Sequence, residues 1–174
     1  MTFKRIAQFA LCTSALFAVA ASAWAADTDS KAASKEDPRI EKIRNFFLAQ
    51  RSPLSKHAEA FLGAAEKQGL DWRLLPSLAM VESAGGLSYS NNNVFGWGNG
   101  RIKFASISES IHVIAERLTN GLPYRNKTIE GKLRAYNPVN SKYAQHVLGI
   151  MASIGPAASP EASAASISTT PAAK

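Results

Sequence analysis

The chain contains little cysteine and comparatively little acidic charge. Its single cysteine, Cys12, lies in an apolar run near the amino terminus, so a disulfide within the chain is excluded. The three histidines, His57, His112 and His146, share no spacing typical of metal ligands, and we predict neither a metal nor another cofactor. Thirteen acidic residues stand against twenty Lys and Arg, and the net charge of +7 favours an anionic partner.

The first 25 residues have the pattern of a secretory signal. Lys4 and Arg5 precede an apolar run over residues 6–21, and a small-x-small pattern ends at Ala25. The run is short and a polar segment follows it, which favours a cleaved signal over an uncleaved anchor. We therefore expect cleavage after Ala25, a periplasmic or secreted protein, and no stable membrane insertion afterwards.

Composition divides the remaining chain into three parts. Residues 26–36 are short, polar and rich in Ala, Ser and Lys, and we predict a flexible leader. Residues 155–174 are almost wholly Ala, Ser, Pro and Thr, which predicts a disordered tail. Residues 37–154 then form one domain, and we expect a monomer. Its Lys and Arg are scattered and no nucleic-acid motif is present, so nucleic acid is not an expected partner.

The apolar pattern within residues 37–154 is mostly helical. Capping residues and first-turn prolines mark four helix starts, at Asp37-Pro38, Ser52-Pro53, Asp71 and Ser106. Two further helices are predicted near residues 128–136 and 141–154. Asn99-Gly100 separates two short apolar stretches, which is typical of a β-hairpin. The predicted class is therefore α+β, mostly helical, with one small hairpin after the third helix.

Glu82 is an acidic residue on an apolar helix face. It follows Ala79 by three residues, Leu78 by four and Leu75 by seven, and these positions share one face. Burial and the partial negative charge at the helix end both oppose ionisation, so we expect a raised pKa. Such a carboxylic acid is suited to protonating a leaving oxygen. The alternative is a structural Glu82 that pairs with a lysine or arginine at the helix edge.

Three segments, in order and at plausible spacing, resemble one family. Residues 75–86 (LPSLAMVESAGG) are similar to the catalytic Glu-Ser helix end of the lysozyme-like superfamily. Residues 92–97 (NNVFGW) resemble a motif of its bacterial glucosaminidase-like branch (mannosyl-glycoprotein endo-beta-N-acetylglucosaminidase-like). Residues 135–138 (AYNP), with Tyr143 after them, resemble the Tyr-Asn motif that closes the cleft, as in lytic transglycosylases. The resemblance covers residues 55–152 and implies a lysozyme-like fold that cleaves the glycan strands of peptidoglycan.

The resemblance also implies roles for single residues. Glu82 would be the general acid, and Tyr136 would lie beside the reacting sugar. The residues that it assigns to substrate binding are Ser83, Asn92, Asn93, Phe95, Trp97 and Asn137. Other interpretations remain open for several of them, because aromatic residues are commonly core residues, a buried tyrosine commonly needs only one hydrogen bond, and asparagines are common in turns.

A second catalytic carboxylate is missing from the expected region, since residues 83–108 contain no Asp or Glu. Two-carboxylate hydrolysis requires such a partner, so a one-acid mechanism is favoured. The product would then be an intramolecular ether, as in lytic transglycosylases, or the substrate's own acetamido group would assist hydrolysis. Two other functions remain open, a non-catalytic peptidoglycan-binding domain and a structural partner in an envelope assembly.

Overall fold

The computed structural model describes residues 36–157, which contain six α-helices and one short 3-10 helix. Their bounds are α1 Pro38–Ala49, the 3-10 helix Pro53–His57, α2 Ala58–Lys67, α3 Leu74–Ser83, α4 Ile107–Asn120, α5 Ile129–Tyr136 and α6 Tyr143–Ile154. The mostly helical prediction is confirmed. The predicted signal peptide, nearly all of the leader and most of the predicted tail lie outside the described residues. No helix within residues 36–157 is long and apolar enough to cross a membrane.

Three of the predicted helix starts carry the expected caps. The Asp37 carboxylate accepts a hydrogen bond from the Arg39 amide at 2.8 Å, and the Ser52 hydroxyl accepts one from the Leu54 amide at 3.1 Å. At α4, the Ser106 hydroxyl accepts from the Glu109 amide at 3.0 Å. Each bond satisfies an amide that the first helical turn leaves without a partner, which is why these starts are readable from sequence.

The third helix begins later than predicted, at Leu74 rather than next to Asp71. The Asp71 carboxylate accepts from the Arg73 amide at 3.0 Å and pairs with the Arg73 guanidinium at 2.7 Å. Asp71 therefore closes a turn in front of the helix instead of capping it. The last helix likewise begins at Tyr143 rather than Ser141, because Asn140 forms a turn that precedes it.

The predicted β-hairpin is wrong, since residues 87–105 form turns and the described part of the chain contains no strand. Left-handed backbone conformations explain the difference, because positive φ angles interrupt an extended strand. They occur at Asn91, Asn92, Gly96, Gly98, Asn99 and Gly100. Hydrogen bonds from asparagine side chains to the backbone, rather than backbone bonds between two strands, connect this segment. The Asn92 amide, for example, donates to the Phe104 carbonyl at 2.9 Å.

Helix α3 lies at the centre of the core, and seven of its ten residues are buried. It packs against α2 and α6. The same core contains a row of buried aromatic rings from Phe47 through Phe61 to Phe95, with ring centroids 5.3 and 6.5 Å apart. Because α3 is surrounded on most sides, its carboxyl-terminal turn, which carries Glu82, is fixed in position by the core.

The turn after α3 requires glycine at position 86. Gly86 has φ +77°, and a Cβ there would lie 2.8 Å from Cγ of Leu54. We expect Gly86→Ala to lower the free energy of unfolding by about 3 kcal/mol, from left-handed strain and overpacking together. Urea denaturation measures this difference. The matched control is Gly63→Ala, because Gly63 is helical and has open space around it. Equal stability of the two variants would contradict the expectation.

Candidate functional site

A cleft of about 440 Å³ lies beside the carboxyl-terminal end of α3. Three other segments complete its walls, namely the turn after Phe95, the loop after α4 and the connection between α5 and α6. The lining residues are Glu82, Gly96, Trp97, Gly98, Asn99, Tyr124, Tyr136, Asn137, Pro138 and Val139. The cleft thus brings together Glu82, Trp97, Tyr136 and Asn137 from the residues that the sequence singled out.

The Glu82 carboxyl is half-buried and its two oxygens have different surroundings. Oε1 accepts a hydrogen bond from the Tyr143 hydroxyl at 2.5 Å. Oε2 lies against Gly96, where it would be 3.2 Å from an added Cβ. A glycine with φ +61° therefore lets the chain approach the carboxyl closely without covering it with a side chain.

The surroundings of Glu82 favour its neutral form. Burial raises the pKa of the Glu82 carboxyl, and the hydrogen bond from Tyr143 acts in the opposite direction without cancelling the rise. The carboxyl also lies in the last turn of α3, next to the partial negative end of the helix. None of the ion pairs within residues 36–157 includes Glu82. The alternative of a lysine or arginine partner is therefore not found in this part of the chain.

Four aromatic side chains pack together behind and beside the carboxyl. Tyr136 stacks on Tyr143 with centroids 5.9 Å apart and an interplanar angle of 4°. Trp97 contacts Tyr136 at 5.7 Å and Tyr124 at 6.0 Å. Three of these rings, Trp97, Tyr124 and Tyr136, line the cleft. The cleft therefore presents aromatic ring surface close to a single acid.

The Tyr136 hydroxyl has an internal partner. It donates to the Phe95 carbonyl at 2.6 Å, which ties the end of α5 to the turn after Phe95. Burial raises the pKa of Tyr136 well above its ordinary value, and the nearby Glu82 adds to the rise. Tyr136 is therefore a neutral phenol whose proton is held by the backbone and whose ring faces its aromatic neighbours.

Four residues that the resemblance assigned to substrate binding do not line the cleft. Phe95 has no exposed surface and belongs to the core. Asn93 is buried, and its side chain bonds to the backbone of Trp97 and Ile102. Ser83 is also buried and donates to the Ala79 carbonyl at 2.8 Å. Together with Asn92, which bridges to residues 104 and 105, they hold the walls in shape from behind.

Three site residues with polar side chains were not singled out for a role from the sequence: Tyr143, Tyr124 and Asn99, the last of which had been assigned only to the predicted hairpin turn. Tyr143 reaches Glu82 from the first turn of α6, although it is 61 residues away along the chain. Tyr124 lines the cleft from a loop in which no motif is present. The sequence signal that could have indicated Tyr143 is a tyrosine hydroxyl on the apolar face of a helix, where the hydroxyl needs a buried hydrogen-bond partner. Nothing in the sequence indicated a role for Tyr124.

Among residues 36–157, Glu82 is the only residue with a carboxyl group that lines the cleft. The three acids that follow Glu82 within residues 36–157 lie elsewhere: Glu109 accepts from the Ala105 amide, Glu116 is exposed on α4, and Glu130 pairs with Arg134 at 2.7 Å. Within residues 36–157, no group of three His, Cys, Asp or Glu lies close enough to bind a metal ion. The Glu82 carboxyl is therefore the acid in this part of the chain that is placed to transfer a proton within the cleft.

The arrangement can deliver a proton to a ligand that packs on aromatic rings. No protein-family model matches the chain, and no curated protein is significantly similar to it. The geometry of the cleft and the residues that form it are therefore the observations that bear on function.

Proposed function

We propose that the protein is a peptidoglycan-cleaving glycosidase that uses Glu82 as its single general acid. The observation that carries the proposal is the half-buried Glu82 carboxyl, with its raised pKa, at the edge of an aromatic cleft of about 440 Å³. A protonated carboxylic acid is what departure of a glycosidic oxygen requires. The resemblance of residues 55–152 to lysozyme-like enzymes points in the same direction, and we propose a lysozyme-like fold on that basis.

The lining of the cleft suits a sugar chain. Ring surface from Trp97, Tyr124 and Tyr136 offers packing for sugar faces, and the Asn99 and Asn137 amides offer hydrogen bonds to hydroxyl and acetamido groups. Residues 83–157, which supply every lining residue except Glu82, contain eight Lys and Arg against three Asp and Glu. That excess favours an anionic polymer, and peptidoglycan strands carry carboxylates on their peptide stems.

The two oxygens of Glu82 suggest how one carboxyl performs both proton transfers. Because Oε1 accepts from Tyr143, Oε2 is the oxygen that carries the proton toward the cleft. Glu82 donates this proton to the glycosidic oxygen as the bond between C1 and that oxygen breaks. The resulting carboxylate then accepts a proton from a hydroxyl of the same sugar, whose oxygen bonds to C1 and forms an intramolecular ether. Assistance by the sugar's acetamido group is the other one-acid route, and water then gives a reducing end.

Mass spectrometry of purified peptidoglycan after incubation with the mature protein tests the proposal. We expect soluble fragments, with anhydro ends if the sugar's own hydroxyl attacks C1 and reducing ends if water completes the reaction. Either product supports glycan cleavage by one acid. An undigested wall at every pH from acid to alkaline would overturn the proposal.

Binding without cleavage is the second candidate, and it is favoured because residues 36–157 place no second carboxyl in the cleft lining. A protein of this kind would sediment with purified peptidoglycan and release no fragments. The electrostatic cost of a half-buried acid argues against binding alone. Burial makes ionisation of the carboxyl unfavourable, and a site that only binds gains nothing from this cost. The fragment analysis above separates the two candidates directly.

Tyr143 adjusts the pH at which Glu82 acts. Its hydrogen bond lowers the pKa of the Glu82 carboxyl, so Tyr143→Phe should raise that pKa further. Since the acid must be protonated, we expect the alkaline limb of the activity profile to move to higher pH. The control is Tyr89→Phe, because Tyr89 is exposed and does not line the cleft. An alkaline limb that stays in place or moves to lower pH in Tyr143→Phe would contradict this role.

A further inference from the structure

Lys132 is a half-buried cation behind the wall of the cleft. It lies in the first half of α5, and its ammonium donates two hydrogen bonds to backbone carbonyls. One goes to Leu118 in the last turn of α4 at 2.7 Å, and the other goes to Tyr124 at 2.9 Å. The ammonium therefore joins three separate segments of the chain.

The partners of Lys132 are unusual because neither is an acid. No ion pair within residues 36–157 includes Lys132, and burial lowers the pKa of its ammonium. The Leu118 carbonyl belongs to the end of α4, where carbonyls lack helical partners and the helix is partially negative. A cation is favourable there. The Lys132 ammonium therefore gives the Leu118 carbonyl a hydrogen-bond donor and at the same time bonds to the Tyr124 carbonyl in the loop that follows α4.

The loop that carries Tyr124 depends on this contact. All other hydrogen bonds described for residues 121–127 are local, between neighbours in the loop or to the end of α4. The Lys132 ammonium provides the one hydrogen bond that connects this loop to α5 within the described residues. Because Tyr136 lies four residues after Lys132, it is on the same face of α5, one turn further along.

We propose that Lys132 is a positioning residue that sets the spacing between two aromatic walls of the cleft, by holding the Tyr124 loop against the helix that carries Tyr136. The rings of Tyr124 and Tyr136 are 6.4 Å apart, and Trp97 contacts both. Lys132 itself does not line the cleft, so it acts on a bound sugar only through Tyr124. The inference rests on the proposed function in so far as the cleft binds a glycan.

The test compares Lys132→Met with Lys127→Met. Both substitutions remove one positive charge, but the Lys127 side chain is exposed and makes no hydrogen bond within the described residues. The first readout is quenching of tryptophan fluorescence by acrylamide. The protein is expressed from Ala26 so that Trp24 is absent, and Trp72 is only 3% exposed, so Trp97 dominates the quenching among the described residues. We expect the Trp97 quenching constant to increase in Lys132→Met, because the Tyr124 ring moves away, and to stay at the parent value in Lys127→Met.

The second readout is binding of a chitin hexasaccharide, a neutral chain of N-acetylglucosamine, measured by calorimetry in a Glu82→Gln background that prevents cleavage. We expect Lys132→Met to raise Kd by about tenfold and Lys127→Met to leave it within about twofold. A neutral ligand is used so that a general loss of positive charge does not change the affinity.

The outcomes separate this inference from the proposed function. Unchanged quenching and unchanged Kd in Lys132→Met would overturn the positioning role. Absence of hexasaccharide binding by every form would count against the proposed function, and the quenching comparison would still decide whether Lys132 places Tyr124. If circular dichroism finds Lys132→Met unfolded, Lys132→Gln takes its place with the same expectations, because the shorter amide does not reach both carbonyls.

Discussion

Glu82→Gln is expected to reduce peptidoglycan cleavage by at least about 1,000-fold. Glutamine has nearly the same shape and retains an oxygen that accepts from the Tyr143 hydroxyl, so the aromatic packing around position 82 is preserved. It carries no transferable acid proton, and among residues 36–157 no other carboxyl lines the cleft to replace it. Release of soluble fragments from purified peptidoglycan, followed over time, measures the loss.

The same substitution should not cost stability. The folded-state pKa of Glu82 is raised, so the folded protein holds this proton more tightly than the unfolded chain does. Wild-type stability relative to Glu82→Gln should therefore decrease as pH rises from about 4.3, the ordinary glutamate value, through the folded-state pKa. Urea denaturation across this pH range measures the difference between the two proteins.

Glu116→Gln is the matched control for both measurements, because Glu116 is exposed on α4 and does not line the cleft. It should retain wild-type cleavage and wild-type stability. A Glu82→Gln protein that unfolds would indicate a structural carboxyl instead. A Glu82→Gln protein that cleaves as fast as Glu116→Gln would remove Glu82 from the mechanism.

Tyr136→Ala should lower kcat/KM by about 100-fold, and Tyr136→Phe by no more than about tenfold. The alanine variant removes the ring surface that Tyr136 offers to a sugar, together with the packing that keeps Trp97 and Tyr124 in place in the cleft wall. The phenylalanine variant keeps the ring and its packing and loses only the hydrogen bond to the Phe95 carbonyl. Initial rates on soluble glycan fragments measure both losses.

The two Tyr136 variants distinguish a ring that forms part of the cleft wall from a hydroxyl that takes part in the reaction. If the hydroxyl itself acted on the sugar, Phe and Ala would be equally damaging, and the ring-wall role would be wrong. Tyr89→Ala serves as the control, since Tyr89 is exposed outside the cleft and its loss should leave kcat/KM unchanged.

Features that depend on neighbouring residues could be predicted from the sequence. The helix starts at Asp37, Ser52 and Ser106 follow from bonds that span two or three residues. The environment of Glu82 followed from the spacing of Leu75, Leu78 and Ala79 on one helix face, and all three are buried.

Features that depend on distant contacts could not be predicted. The hairpin was predicted from one adjacent pair, Asn99-Gly100. The conformation of residues 87–105 depends instead on side-chain hydrogen bonds that span up to 13 residues. Phe95 and Trp97 looked equivalent in sequence, yet the left-handed turn at Gly96 places one in the core and the other in the cleft. The contact between Tyr143 and Glu82 joins two helices whose packing no local pattern specifies.

The central claim is that one carboxyl, whose pKa is raised by burial, lies beside an aromatic, sugar-sized groove. Carbon-13 NMR of side-chain carboxyls, titrated with pH and assigned by Glu82→Gln, measures that pKa directly. The account predicts a Glu82 midpoint above about 4.3, the usual glutamate value, and a further upward movement in Tyr143→Phe. A midpoint at or below that value would contradict it.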